Sequence, residues 1–176
     1  MEAMEYSNEN MEIRNMERIR HIQRHPLFQE LWKKLQDAEK DRIFCRHTME
    51  HFLDVARLMY IYSLEDGEKI RKDVIYAAAL LHDIGRYEQI VSGTPHDIAS
   101  AGIAEGIMKD SGFTADEIHI VQNAILGHRK KDSLTSEDRL TAYLYRADKK
   151  SRNCFACPAE AACDWPKEKK NLWIEY

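Results

Sequence analysis

The amino-acid sequence predicts an all-α fold, a bundle of about six or seven helices. Apolar residues recur at intervals of three and four in one segment after another, which is typical of helices with a single buried face. No segment shows the alternation of apolar and polar residues that marks a half-buried strand. Glycine, proline and helix-capping residues separate the apolar segments, so each segment is predicted to be one helix of the bundle.

Two helices are predicted at the beginning of the chain. Residues 13–24 carry isoleucine and methionine at intervals of three, and Pro26 interrupts this pattern. Residues 27–40 have the spacing of an amphipathic helix with one buried face. Residues 1–12 show no such pattern and are predicted to be an irregular start.

A third helix is predicted over residues 45–64, and His51 lies on its apolar stripe. His47 stands one turn before His51. Considered alone, it is predicted to be an ordinary core or surface histidine. The sequence 66–68, Asp-Gly-Glu, predicts the turn after this helix.

The central helix is predicted over residues 70–83 and ends in the dipeptide His82-Asp83. Ionisable side chains at the end of an apolar run are costly to bury unless they are paired or bound to a metal. Imidazole and carboxylate groups together suit a divalent transition metal. Gly85 then permits a tight turn. The dipeptide has two interpretations, a pair of metal ligands or a hydrogen-bonded pair at a helix terminus.

Three further helices are predicted in the second half of the chain, after a loop over residues 88–95. The first, over 96–109, presents Gly102 and Gly106 on a face of small residues suited to close helix contact. The second is opened by a capping box at Thr114 and extends to residue 126. The third begins near Ser136 and reaches Asp148.

Composition limits the cellular context and the partners. The 176 residues suffice for one domain with a real core, and the formal net charge of −4 gives no support for nucleic-acid or membrane-surface binding. No apolar run approaches the roughly 20 residues of a membrane helix, and the acidic N-terminus is unlike a secretory signal. A cytoplasmic protein is therefore predicted, in which four cysteines are thiols or metal ligands rather than disulfides.

Histidines and carboxylates at helix ends and on inward faces form a constellation. Six nitrogen or oxygen ligands from five elements suit a pair of divalent ions that share one bridging carboxylate. The candidate metal ligands are His51, His82, Asp83, His96, His128 and Asp148.

The ordered set His51, His82-Asp83 and Asp148 resembles the HD superfamily of metal-dependent phosphohydrolases. The strings HFLDVA from residue 51, AALLHDIGR from residue 78 and YRADK from residue 145 carry this resemblance. His96 and His128, between the central dipeptide and the last aspartate, resemble the two-metal branch, which includes bacterial HD-type diadenosine tetraphosphate hydrolases. The resemblance implies an HD-domain helical bundle.

The resemblance also implies a division of the chain and a set of roles. Residues 1–176 would be a single HD domain with a core at about 43–150, a helical extension at 1–40 and a cysteine-rich tail at 151–176. Asp83 would bridge two ions. His51, His82 and Asp148 would also hold one of them, and His96 and His128 would hold the other. Arg86 and Lys149 directly follow ligand motifs and would neutralise phosphate oxygens. Manganese, iron, cobalt, nickel or zinc would accept this ligand set.

The tail departs from the simple family pattern. Cys154, Cys157 and Cys163 have a pair-then-third spacing that is typical of a thiolate metal site, and Cys45 is the other cysteine of the chain. The four thiols are predicted to bind one structural zinc ion or an iron–sulfur cluster. The alternative is that the tail cysteines are reduced thiols in a loop.

The predicted function is hydrolysis of a nucleotide or another small phosphate ester by a metal-activated water. No nucleic-acid or membrane partner is expected. Two other classes stay open. Some HD-like proteins resemble di-iron oxygenases on the same ligand frame, and a regulatory module would keep the metal without turnover.

Overall fold

The computed structural model describes residues 16–174, and this part of the chain folds as helices and turns without a β-strand, so the all-α prediction is confirmed. Eight helical segments follow one another. They are α1 (residues 16–24), α2 (Pro26–Ala38), α3 (Met49–Glu65), α4 (Lys72–Leu81), α5 (Arg86–Ser92), α6 (His96–Asp110), α7 (Ala115–Gly127) and α8 (Arg139–Lys150). The predicted irregular start and the first residues of the first predicted helix lie outside the described residues.

The central helix α4 organises the packing. Its apolar run is buried over residues 73–81, apart from a half-buried Tyr76, and it contacts α3, α6, α7 and α8. A helix that is apolar on nearly all sides is stable only when neighbours surround it, which is how α4 lies in the bundle. The polar residues that follow its last turn, His82 and Asp83, therefore lie in the interior.

The N-terminal helices join the same hydrophobic core. α1 contributes Ile19 and Ile22, and α2 contributes Phe28, Leu31 and Leu35. Pro26 is the first residue of α2, where its missing N–H is harmless.

Several predicted boundaries shift. α3 begins at Met49 rather than at Cys45, because the Thr48 hydroxyl accepts a hydrogen bond from the His51 amide and caps the helix. Cys45 thus precedes the helix instead of opening it. α4 covers residues 72–81 and is shorter than predicted, since His82 is its C-terminal cap.

Two interpretations of the second half are wrong. Residues predicted to form a loop after position 88 belong largely to α5, which ends at Gly93 with a φ of 76°. Gly102 and Gly106 on α6 are exposed, and a β-carbon at either would meet nothing within 4 Å, so they do not form a helix contact. The capping box at Thr114 is confirmed at the start of α7. α8 begins after Ser136, at Arg139.

The tail after α8 contains short 3-10 turns over Cys154–Ala156, Glu160–Ala162 and Lys167–Lys169. Within residues 16–174, no helix is both long enough and apolar enough to cross a membrane.

Candidate metal centre

Helix ends bring the six predicted ligands together in the interior. Each lies at or near the end of its helix, where the local sequence signals stop the helical pattern. His51 lies in the first turn of α3, His82 and Asp83 follow α4, His96 opens α6, His128 caps α7 and Asp148 lies in the last turn of α8. All six are buried.

Asp83 lies between two groups of ligand atoms and presents a different oxygen to each. Its Oδ2 is 3.2 Å from Nε2 of His82 and 3.9 Å from Nε2 of His51. Its Oδ1 is 3.1 Å from Nε2 of His96 and 3.7 Å from Nε2 of His128. This is the arrangement expected of a carboxylate that bridges two ions.

Asp148 completes the first group. Its Oδ1 is 3.6 Å from Nε2 of His51 and 3.9 Å from Nε2 of His82. In each of the two groups, all ligand atoms lie within 4.8 Å of one another. Atoms bound to one ion at about 2.0–2.2 Å are separated by roughly 3–4 Å, so both groups have the dimensions of a metal site.

The four histidines use Nδ1 for a hydrogen bond that leaves Nε2 facing the centre. The pairs are His51 with the Ser151 hydroxyl (3.1 Å), His82 with the Ala79 carbonyl (2.7 Å), His96 with the Gln89 side-chain oxygen (2.6 Å) and His128 with the Ile125 carbonyl (2.5 Å). Such partners fix the tautomer and the ring orientation of metal-binding histidines.

The centre leaves polar atoms without partners, which fits a bound metal. Nε2 of His51, Nε2 of His82 and Oδ1 of Asp83 are buried and make no hydrogen bond. Nε2 of His96 lies 3.3 Å from Nε2 of His128, so two nitrogen lone pairs face each other when both Nδ1 atoms carry the proton. Unsatisfied buried groups cost about 1–3 kcal/mol each, a cost that coordination to a cation removes.

Burial sets the protonation of the histidines. It lowers the pKa of His51 to about 3 and also lowers the pKa of His96. Both rings are therefore neutral near pH 7, as metal binding requires. Burial opposes the charged form of His82 as well, but the Asp83 carboxylate outweighs this and raises the pKa of His82, so a metal ion would displace a proton there.

The carboxylates stay ionised. Burial favours the neutral acid, but the charge of His82 and the close imidazoles of His96 and His128 hold the pKa of Asp83 well below its ordinary value. Burial is likewise outweighed at Asp148, whose pKa is lowered by Lys149 and Arg152. The centre thus offers two negative charges to cations.

The predicted basic residues lie against these carboxylates. Nε of Arg86 is 3.7 Å from Oδ1 of Asp83, and its Nη1 donates to the same Gln89 oxygen that holds His96. The Lys149 ammonium donates to the Asp148 carboxylate.

His47 is fully buried beside the centre, a placement that its position in the sequence did not indicate. Its Nδ1 donates to Glu39 (2.7 Å), and its Nε2 accepts from the Arg86 guanidinium (2.8 Å) and lies 3.4 Å from Oδ2 of Asp83. Glu39 comes from the turn after α2, so only the folded chain joins Glu39, His47 and Arg86 into one hydrogen-bonded series.

Arg152 also belongs to the centre and was not among the predicted residues. Its Nη2 donates to Oδ1 of Asp148 (3.1 Å), and its guanidinium lies over the ring of Trp165 and within electrostatic range of Cys45. Its position four residues after Asp148 was the available sequence signal, since residues at this spacing meet on one face of a helix.

A cleft of about 250 Å³ opens beside His51. Its lining includes the basic side chains of Arg46 and Arg152 and the acidic side chains of Glu50 and Asp54. A concave polar opening next to a ligand is where a small substrate would reach the centre.

The four cysteines surround a second, small cavity near this cleft, together with Phe44, Glu160, Trp165 and Lys170. All four are free thiols. Their sulfurs are not among the groups of described ligand atoms that lie within 4.8 Å of one another.

Comparison with known proteins identifies the family of the chain. The HD domain family model matches residues 48–153, a range that contains all six predicted ligands. An uncharacterized protein of Clostridium beijerinckii is 43% identical over 144 residues, which cover 82% of this chain and 89% of that protein. No solved structure matches this chain. The chain belongs to the HD domain family.

Proposed function

We propose that this protein is a two-ion phosphohydrolase that cleaves a nucleotide or another small phosphate ester. The observation that carries the proposal is Asp83, whose two oxygens face two separate groups of ligand atoms. The family supports the reaction class, because HD domain proteins are mostly metal-dependent hydrolases.

The donor set fits two divalent ions. His51, His82, Asp83 and Asp148 would hold one ion, while Asp83, His96 and His128 would hold the other. Ions held by these residues would lower the pKa of a bound water, supply a hydroxide nucleophile near neutral pH and offset the charge of phosphoryl oxygens. The second group has only three protein ligands, which leaves coordination positions for water and substrate.

The surrounding cations would bind the phosphate. The Arg86 guanidinium is held by His47 and Gln89 at the edge of the centre, so it is oriented before substrate arrives. Lys149 is 39% exposed and can turn from Asp148 to a phosphoryl oxygen. Guanidinium and ammonium groups both bind phosphate well, and the guanidinium adds a fixed geometry.

The test is elemental analysis of freshly purified protein, followed by phosphate-release assays on nucleotides and small phosphate esters with manganese, iron, cobalt, nickel and zinc. We expect metal-dependent release by the wild type. Asp83→Ala should abolish release and lower metal content, because the bridging carboxylate is gone. Glu105→Ala, on the exposed face of α6, is the matched control and should keep both.

Other outcomes would contradict the proposal. Wild-type turnover and metal content in Asp83→Ala would show that this carboxylate does not bridge the ions. Dioxygen uptake without phosphate release would indicate a di-iron oxygenase, and bound metal without any turnover would indicate a regulatory module.

A further inference from the structure

The four cysteines come from two segments that flank the HD domain match. Cys45 lies just before the matched residues 48–153, and Cys154, Cys157 and Cys163 lie just after them. The fold nevertheless places all four around one cavity. Cys45 is separated from the other three cysteines by roughly 110 residues of sequence, so its place beside them is set by the fold and is what a ligand bound by four thiolates would need.

Two cations lie beside this cavity. The Arg152 guanidinium is within electrostatic range of Cys45, and the Lys170 ammonium is within electrostatic range of Cys163 and Cys154. Lys170 is itself fixed by Glu160, whose carboxylate accepts its hydrogen bond at 2.9 Å. These cations would offset part of the negative charge that four thiolate ligands bring to a bound metal group.

The tail has little else to hold it in place. Each of its 3-10 turns is three residues long. Among the described residues after Lys150, Cys154 is the only buried apolar one. Asn171 donates to the carbonyls of Lys149 and Arg152, which fixes the tail to the end of α8 at one point. A ligand that joins the thiols would supply the ordering free energy that hydrophobic burial does not.

The separation of the sulfurs favours a cluster over a single ion. Four sulfurs bound to one zinc ion at about 2.3 Å lie about 3.8 Å from one another. Among the described residues, no three cysteine sulfurs lie within 4.8 Å of one another, so the thiols are not gathered as closely as the ligands of one zinc ion. In an iron–sulfur cluster each thiolate binds a different iron atom, which suits the wider spacing.

We propose that Cys45, Cys154, Cys157 and Cys163 hold a [4Fe–4S] cluster that ties the tail to the segment before α3. The site is distinct from the histidine centre and does not depend on its proposed activity. The Arg152 guanidinium lies between the two, because it donates to the Asp148 carboxylate and is within electrostatic range of Cys45.

The test uses the full chain, isolated without oxygen and also reconstituted with ferrous iron and sulfide. We expect about four acid-labile sulfides per chain and a broad visible absorption that bleaches on reduction. Sulfide separates cluster iron from iron in the histidine centre. His82→Ala should keep the sulfide while losing metal from the histidine centre. Cys45→Ser and Cys157→Ser should each lose the sulfide and the absorption.

Three results would overturn the proposal. The first is wild-type protein that contains no sulfide under either condition, and the second is zinc held by the four thiols in place of iron. The third is Cys45→Ser protein with full sulfide content, which would exclude Cys45 as a ligand. Circular dichroism separates loss of the cluster from failure to fold. If a serine variant does not fold, protection of the four wild-type thiols from alkylation until the iron is removed tests the same site.

Discussion

At the scale of single residues, Asp83 is the charged group that both groups of ligand atoms share. A fully buried carboxylate loses several kcal/mol of hydration, which only close positive groups or metal ions can offset. Five imidazole Nε2 atoms lie within 3.9 Å of its two oxygens, three of them near Oδ2 and two near Oδ1. Because the predicted histidine ligands divide between the two oxygens, removing the pair near one oxygen should empty one site and leave the other.

Replacing His96 and His128 together by alanine should lower the bound metal from about two ions to about one, with a steep fall in hydrolysis. The first group keeps all of its ligands in this variant, so one ion should remain. Metal analysis and phosphate release measure the two effects. His119→Ala, exposed on α7, serves as the control. An undiminished metal complement in the double variant would make these histidines structural.

The candidate ligands could be predicted because their signals are local. His82 ends an apolar run, and His96 stands behind a proline at a helix start, but the choice of these residues as metal ligands also depended on the resemblance to the HD superfamily. Glu39 and His47 could not be predicted, since His47 bonds to Glu39 on one side and to Arg86, 39 positions later in the sequence, on the other. Spacing along one helix carries no information on such long-range contacts.

At the scale of elements, the turn after α4 lies directly on α6. The Gly85 amide donates to the Ser100 hydroxyl at 2.9 Å. A β-carbon at Gly85 would lie 2.5 Å from the Ser100 nitrogen and 2.9 Å from the carbonyl carbon of Ala99, both of them backbone atoms. The close approach holds the helix that begins with His96 against the turn that carries Asp83.

Gly85→Ala should therefore push α6 away from the turn, with lower thermal stability and weaker binding of the second ion. Gly102→Ala is the matched control on α6, where a methyl group meets open space. It should stabilise the protein by up to about 1 kcal/mol, because alanine favours an exposed helix position over glycine. Thermal unfolding and metal titration compare the two variants. Equal stability of both would mean that the turn does not need this close approach.

Helix α1 is tied to α4 and α7 by an ion-pair network. Arg18 donates to Asp73, which is fully buried in the first turn of α4, and to Glu117 in the first turn of α7. The hydrogen bond from Arg18 lowers the pKa of Glu117 from 4.5 to about 2. A carboxylate with a depressed pKa stabilises the fold above its unfolded-state pKa, and this contribution is lost as the pH falls through the folded value.

Glu117→Gln should accordingly lower the melting temperature near pH 7, and the difference from wild type should shrink between about pH 4.5 and 2. The reason is that acid protonates the wild-type carboxylate and removes the charge that the variant already lacks. Melting temperatures across this pH range provide the measurement. Asp116→Asn, exposed in the same first turn, should show little of this dependence. A pH-independent difference would assign the effect to packing.

The order of the helices was predictable because helix-capping and helix-breaking residues separate the helical segments, as Thr114 does at the start of α7. Helix α5 was not, since its seven residues are flanked by Gly85 and Gly93 and contain no buried residue. A short exposed helix lacks the apolar periodicity from which helices are predicted. Its importance comes from Gln89, which joins His96 and Arg86 only in the folded chain.

At the scale of the whole molecule, the two proposed metal sites would act on different states: the cysteine site on the unfolded chain and the histidine centre on the folded chain. The proposed cluster joins Cys45 to a tail about 110 residues later, and a cross-link of that span restricts the unfolded chain by about 4–5 kcal/mol in the chain-entropy view. The histidine centre draws on five separated elements. Ions bound there stabilise the folded chain because the unfolded chain has no preformed site.

Removing the ions from the histidine centre should therefore lower the melting temperature, and adding manganese back should raise it with concentration. A ligand at 100 times its dissociation constant contributes about 2.7 kcal/mol, or roughly 5–10 °C for a chain of this size. Asp83→Ala should not respond to manganese, because both groups of ligand atoms lose the carboxylate that they share. Cys45→Ser should begin at a lower melting temperature and still respond, because the six predicted ligands of the histidine centre are intact. If wild type and Asp83→Ala respond alike, the stabilising ion binds elsewhere on the molecule.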